Sequence, residues 1–466
     1  MAVEGIDPIA ASAITLDASQ ERALGLFGEG SNVALFGRAG CGKSEVLRRM
    51  IASAVAKWGS DAVAVAALAG SAALLVGGQT LHSLFGMNTR RLSRETWLRE
   101  TLLRPQVCAR LNALRVLCID EVCTLSSSLF SRLGYVMRRV APPHMQHLPF
   151  GGCQLVGAGD PLQVAPVHVT DESMDRMVFD CFTWRSVFDG GAGKVACLTG
   201  AHRQAQDATF QNALDRVRWG RADRSTIELF NATSSATFSA PATKLRILKS
   251  AVQDINHAKL ATLPSLAHVF VAHDVMLSTD PQVMDEALTS LRSCVDVSFS
   301  VKVDAPVILT RKVDGVAPGT RGIVRDVIQN SVIVEDEEVL VESVMCDFAG
   351  VRVGVGRVRF SAYDHTGTEV AYSEQVPLLL GWALTVHRSQ GLTLDAVEID
   401  FTLDSWTTCG LVYTALSRVR SFAALRVSGL RRDLIRASRC ALAYYEKKLV
   451  EEGINPVDDG RPPVVG

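Results

Sequence analysis

The stretch that most restricts the fold of this chain is VALFGRAGCGKSEVLRRM, residues 33–50. The apolar run 33–36 reads as a short buried strand. It breaks into Gly37-x-x-x-x-Gly42-Lys43-Ser44, after which Val46, Leu47, Met50, Ile51, Ala54, Val55 and Trp58 recur at helical spacing. Strand, glycine loop and helix in that order make a phosphate-binding loop. Gly37, Gly40 and Gly42 let the backbone curl so that successive N–H groups face an anion. The helix adds its positive dipole end. The whole loop, Gly37, Arg38, Ala39, Gly40, Cys41, Gly42, Lys43 and Ser44, is expected to cradle a nucleoside triphosphate. Lys43 would reach the β- and γ-phosphates and Ser44 would ligate Mg²⁺. A chance glycine-rich turn is the competing reading, and the strand and helix in their required places oppose it.

Around this loop there is room for two to four domains, since 466 residues divide into domains of ~100–200. Hydrophobic residues make up 48%, enough for a sizeable core, yet no apolar run reaches the ~18 residues of a membrane span. The first residues lack a basic segment and a long apolar core, and no arginine precedes Arg22, so neither a secretory nor a mitochondrial leader is expected. Eleven cysteines with no CxxC pair point to free thiols in a reducing, intracellular compartment, the nucleus if the source is eukaryotic. The net charge of −1 gives no global signal for nucleic acid, so any such site must come from local charge placement.

Along the chain, Asp17 reads as the N-cap of a helix, with Gln20 three residues on. The other use of Gln20 is an amide facing an adenine edge. Residues 62–70, AVAVAALAG, read as a buried parallel strand. The loop-like GGQTLHSLFGM, 77–87, carries Thr80 and His82. The run 88–105 places Arg90, Arg91, Arg94, Arg99 and Arg104 among Glu95 and Glu100, the pattern of a solvated helix face. RVLCIDEV, 115–122, ends in Asp120-Glu121. Carboxylates at a strand end beside a phosphate loop can hold hydrated Mg²⁺ and deprotonate an attacking water, although an acidic pair also suits a helix start. A second strand-like run, 151–167, ends in Gly159-Asp160, with Gln163 just beyond as a candidate γ-phosphate sensor. The run 194–204 ends in His202-Arg203-Gln204, where a lone arginine is ordinarily surface decoration. Residues 300–372 are valine-rich and alternating, with turns at Asp314-Gly315 and Thr366-Gly367, and predict a small antiparallel β unit inserted in an α/β protein. No internal repeat is visible.

Taken in order, these segments resemble the petite-integration-frequency (PIF) DNA helicases, in the RecD-like branch of superfamily-one helicases. The resemblance runs from about residue 14 to 432. GRAGCGKS is similar to the family's first motif, CIDEV to the second, GDPLQVAP to the third, WALTVHRSQGLTLD to the fifth and VYTALSRVRS to the sixth, while LTGAHRQ resembles its leucine…arginine-glutamine segment. A single motif would be weak; the ordered series is specific. It implies an α/β fold with two RecA-like P-loop domains, ATP between them, and a small SH3-like β insertion in the second.

The layout so implied is a flexible 1–14, a first RecA-like domain at 15–200 with a small wedge subdomain at 88–105, and a second RecA-like domain at 201–304 and 373–450. The β insertion occupies 305–372 and a disordered tail 451–466. By motif position Lys43, Asp120, Glu121, Gln163, Arg203 and Arg418 are the implied catalytic residues, with Ser44 and Asp120 on Mg²⁺. Gln20 and Gly391 join the loop in holding ATP, and Thr80, His82, His387, Ser389 and Gln390 face single-stranded DNA. The implied activity is 5′-to-3′ unwinding of single-stranded and forked DNA in repair, recombination or telomere maintenance. RNA, an RNA–DNA hybrid and a loading partner protein stay open, as does a translocase without autonomous unwinding; no membrane is involved. Three positions depart from the family pattern: Leu68-Ala69-Gly70 in place of a proline–threonine–glycine, Lys249-Ser250 in place of a threonine–asparagine, and Asp304 in place of a glycine.

Overall fold

The structure, a computed structural model, describes residues 15–462 except 70–71, 74–75, 87–93, 167–175, 191–192, 239–241, 312, 317–318, 335–336 and 364–368. The stretch 1–14, Gly70, Arg90 and Arg91 therefore lie outside the described residues.

The first half is built on a parallel six-stranded sheet. Its strands are β1 (Asn32–Gly37), β2 (Val63–Ala67), β3 (Gln79–Thr80), β4 (Val116–Asp120), β5 (Gln154–Gly159) and β6 (Gly193–Leu198), in the spatial order β3-β2-β4-β5-β1-β6. The near-continuous apolar strands follow from burial on both faces. Val33, Leu35, Val65 and Cys118 enter one core, while Ala34, Phe36, Ala66 and Ile119 enter the other, as the two-residue period of a strand requires. On the first face lie helix α1 (Ala18–Gly28) and helix α2 (Lys43–Trp58), which starts directly at the loop. The mixed-charge run becomes the helix Arg94–Leu102, with Trp97 buried beneath Arg132 and Arg99 exposed.

The second half has a parallel four-stranded sheet made of Ala383–Thr385, Thr243–Arg246, Val397–Asp400 and Leu425–Ser428, in that order. The expected α/β class with two parallel sheets is present.

The β region is wider than 305–372. A five-stranded antiparallel sheet includes Leu378–Leu380 beside Pro306–Leu309, and a three-stranded one pairs Glu369–Gln375 with His273–Met276. Residues 268–301, expected in the second RecA-like sheet, supply two further short strands and a helix to this region. Strand–helix–strand spacing imitates an α/β unit, and only the pairing of Met276 with Ala371 reveals otherwise. Asp304, at the departure from glycine, takes φ +68, the left-handed region that glycine fills without strain.

Two further boundaries are corrected. The terminal helix Arg439–Glu451, expected in the second domain, packs on the first: Ala441, Tyr445 and Leu449 share a core with Phe36 and Trp184. Trp184 Nε1 donates to the Tyr444 hydroxyl at 2.7 Å. The part of the tail that is described, 452–462, packs against the protein, and Asp459 is fully buried. The tail's polarity and glycine content suggest disorder, but Asp459 is paired with Arg218 inside the protein and Arg461 meets Glu446.

Candidate functional site

The phosphate-binding loop sits between β1 and α2 as the motif requires. Gly40 and Gly42 take φ +82 and +86. A Cβ at Gly40 would strike Arg203, and one at Gly42 the Gln20 amide, so neighbours as well as backbone curvature demand glycine here. In front of the loop lies a cleft of about 660 Å³, lined by Lys43, Ser44, Glu121, Gln163, Arg203, Gly391 and Arg418 among others. Lys43 and Arg418, 375 positions apart in the sequence, thus line one cavity.

Lys43 Nζ donates to the carbonyls of Gly37 and Arg38 at 2.7 and 3.0 Å. Asp120 ends β4, and Glu121 turns the chain with φ +49. Desolvation raises both carboxyls above their ordinary range; Glu121 adds to the rise of Asp120, and the Lys43 ammonium opposes it in both. Ser44 offers a hydroxyl and Asp120 a carboxylate, hard oxygen donors of the kind that suit Mg²⁺. Among the described residues no cluster of three or more His, Cys, Asp or Glu is poised to hold a metal, so phosphate oxygens would have to complete its shell.

Arg203 follows β6. The His202 and Arg203 N–H groups both donate to the Gly40 carbonyl, at 3.1 and 3.3 Å, and the Arg203 guanidinium donates to the Ser417 carbonyl at 3.1 Å. Arg418 is 2% exposed and donates to the Thr414 and Ser389 carbonyls and the Ser417 hydroxyl. Burial, and then the charge of Arg203, bring Arg418 down to about 9. Two cations that weaken each other in a desolvated cleft favour a polyanion between them. Gln163 Nε2 donates to Asp160 Oδ2 at 3.3 Å.

Several expected contacts are placed otherwise. The Arg38 guanidinium turns away from the cleft to Asp215 at 2.7 Å and the Thr199 carbonyl at 2.9 Å, leaving only its backbone for phosphate. The Ala39 N–H is taken by the Tyr413 hydroxyl at 2.9 Å, and the Cys41 thiol is fully buried. Gln20 completes the capping box with Asp17, and its Nε2 donates to the Cys41 carbonyl at 3.1 Å, so the capping reading of this residue holds.

On the proposed DNA face, Thr80 caps the short helix Leu81–Phe85, accepting from the Ser83 N–H at 3.2 Å. Burial lowers the pKa of His82, while His387 is exposed. Ser389, expected to face a strand, is fully buried with its hydroxyl donated to the Val386 carbonyl at 2.7 Å; it shapes the turn and does not present a contact. Gln390 Nε2 is buried without a hydrogen-bond partner among the described residues.

Tyr413, Thr393 and Arg420 were missed by sequence reading. Arg420 and Thr393 line the cleft. Arg420 stood two residues beyond Arg418 in a quoted motif, but the partner of the Tyr413 phenol lies 374 residues away and leaves no local signal.

The family model for PIF1-like helicases matches residues 16–227. The ATP-dependent DNA helicase PIF1 of Danio rerio is 30% identical over 436 residues, 90% of this chain and 62% of that protein. The protein of the same name from Homo sapiens is 31% identical over 432 residues, 90% of this chain and 61% of that protein. The chain thus spans about three fifths of the length of these curated relatives. A crystal structure of Pif1 helicase from Candida albicans superposes with a TM-score of 0.77 at 27% identity, covering 93% of this chain and 99% of that one. Pif1 from Bacteroides sp in complex with ADP-AlF4 gives 0.72 at 23% identity, covering 94% and 98%, a likeness of fold.

Proposed function

We propose that the chain is a PIF1-like helicase, the family whose model matches residues 16–227, and that it is an ATP- and Mg²⁺-dependent DNA helicase moving 5′ to 3′ along single strands. The observation that carries the reading is the meeting of Lys43 and Glu121 from one half with Arg418 from the other in a single cleft.

In this mechanism the triphosphate lies along the loop, and Lys43 exchanges its loop carbonyls for β- and γ-phosphate oxygens. Ser44 and Asp120 would hold Mg²⁺, which would supply charge neutralisation on those oxygens when bound. Glu121 orients a water and takes its proton as the water oxygen bonds to the γ-phosphorus and the bond to the bridging oxygen breaks, releasing ADP and phosphate. Arg203 and Arg418 stabilise the charge that develops on the equatorial oxygens. Because Arg418 belongs to the second half, hydrolysis depends on how the halves sit, and their movement carries the strand. Thr80, His82, His387 and Gln390 line the path of that strand and hold phosphates and bases without reading sequence. The substrates are single-stranded and forked DNA, and the pathway is repair, recombination or telomere maintenance.

A second reading, a translocase that needs a loading partner, has one observation in its favour. Lys249, which replaces the family's usual threonine, lies 3.4 Å from Asp296, and Arg388 lies 3.7 Å from the same carboxylate, so one of the two positive charges there is already offset.

Partial duplexes with a 5′ or a 3′ single-stranded tail separate these readings. Unwinding of the 5′-tailed substrate alone, lost in Lys43→Ala, is expected; unwinding from the 3′ tail alone would sink the polarity, and hydrolysis without strand separation would favour the translocase.

The contact between halves also makes a prediction. Gly410, at φ +75, lies so close to the Gln163 carbonyl that a Cβ would overlap it. Gly410→Ala is expected to lower kcat for DNA-stimulated ATP hydrolysis about tenfold or more, with little change in circular dichroism. A variant with unchanged kcat would show that this approach does not matter.

A further inference from the structure

Beneath the cleft, five charged side chains meet in the protein interior. Arg218, at the end of the helix Ala208–Arg218, has no exposed side-chain surface. It donates to Asp160 Oδ1 at 2.9 Å and Oδ2 at 3.3 Å, and to Asp459 Oδ2 at 2.7 Å. Asp459 Oδ1 faces Arg38 Nε of the phosphate loop at 3.9 Å, and Arg38 in turn binds Asp215. Asp160 also accepts the Gln163 amide. Hydrogen bonds therefore run from Gln163 in the cleft through Asp160 and Arg218 to Asp459, and a longer ion pair at 3.9 Å, in which neither Asp459 Oδ1 nor Arg38 Nε has a hydrogen-bond partner among the described residues, reaches Arg38.

The tail is shaped for this path. Gly460 takes φ +82, and a Cβ there would collide with the Asp215 carboxylate. Trp219 Nε1 donates to the Asp459 carbonyl at 3.3 Å and fixes the same turn. Buried ion networks are weak sources of stability, since well-packed apolar residues often serve as well, but they fix one geometry over others.

We propose that Asp459 is a positioning residue for nucleotide hydrolysis, setting Gln163 through Arg218 and Asp160 and the phosphate loop through Arg38. The proposal rests on the ATPase reading above. The cluster holds three carboxylates, Asp160, Asp215 and Asp459, against two guanidiniums, Arg38 and Arg218, so it carries one excess negative charge when fully ionised. Burial raises Asp215 to about 6; Arg38 and Arg218 oppose the rise, while Asp459 and Asp160 add to it. Tyr413 and Tyr445, whose phenols burial pushes far up, stay neutral beside them. Below that pH Asp215 is protonated and its bond to Arg38 loses charge assistance, which predicts an acid limb in the rate profile.

The test is steady-state ATP hydrolysis with single-stranded DNA across pH 5–8, on the full chain and on Asp459→Asn. This near-isosteric change removes one negative charge. The expected result is a kcat lower by about tenfold with KM for ATP within about twofold, and an acid limb moved down by about one pH unit, because a neighbour that raised Asp215 has gone. Asp458→Asn, on the exposed neighbouring residue, should match the parent. A parent-like kcat and an unmoved limb in Asp459→Asn would overturn the proposal. If that variant does not fold, Asp215→Asn serves instead, read as kcat at pH 7–8 because Asp120 and Glu121, also raised by burial, give acid limbs of their own: a fall of about tenfold supports the network, and a parent-like kcat overturns it. A parent chain that hydrolyses no ATP would overturn the ATPase reading itself, whereas an active parent with an indifferent Asp459→Asn overturns only the positioning role.

Discussion

Arg418→Ala is expected to reduce kcat for ATP hydrolysis by ~10³-fold or more, the range seen when an arginine that stabilises transferring phosphate is removed, while ATP still binds. The side chain is 2% exposed and already held by the Thr414 and Ser389 carbonyls and the Ser417 hydroxyl, so its fork is fixed before substrate arrives. Its low pKa, brought to about 9 by burial and by Arg203, means that an incoming triphosphate relieves an electrostatic conflict as well as forming a contact. Arg418→Lys keeps the charge but not the planar fork and should recover little of the rate. Single-turnover hydrolysis with pre-bound ATP is the measurement, accompanied by thermal melting to establish folding. Hydrolysis at the parent rate in a folded Arg418→Ala would remove this residue from the mechanism.

Glu121→Gln is expected to lower hydrolysis by about 10²–10⁴-fold, the usual contribution of a positioned general base, and to leave ATP and DNA affinity nearly unchanged. Glutamine preserves the size of the side chain and the left-handed turn at φ +49, so the loss isolates proton acceptance from cleft shape. A variant blocked in this way should stay on single-stranded DNA in its ATP-bound form, visible as slow release of a fluorescent oligonucleotide. If Glu121→Gln hydrolyses ATP normally while Asp120→Asn does not, the proton acceptor has been assigned to the wrong carboxylate.

The residues legible in the sequence share one property: their function depends on local order. A strand, a glycine loop and a helix are contiguous, and Asp120-Glu121 end an apolar run, so their place at the sheet edge follows from the pattern. Capping by Asp17 and Gln20 was equally local. What escaped depended on distant pairing. Arg38 lies within the loop motif, yet its guanidinium answers to Asp215, 177 residues away. Ser389 is the exception: expected to face DNA, it is hidden by a contact only three residues away, where the tight turn at 387–389 closes its hydroxyl onto the Val386 carbonyl. The tail around Asp459 has the composition of a disordered segment; its order comes from Arg218, 241 residues earlier. The β region spread beyond its expected limits for the same reason, since His273–Met276 joins a sheet whose other strands lie about a hundred residues on.

The return of the terminal helix to the first half changes the mechanics of the molecule. The chain passes from the first sheet to the second between Leu198 and Ala208, and passes back between Ser428 and Arg439. Two covalent crossings act as the two pins of a door. They leave free the swing about the line joining them, and they resist sliding and any twist about another axis. A single proteolytic cut at either crossing should therefore leave the halves attached while loosening how they are held against each other.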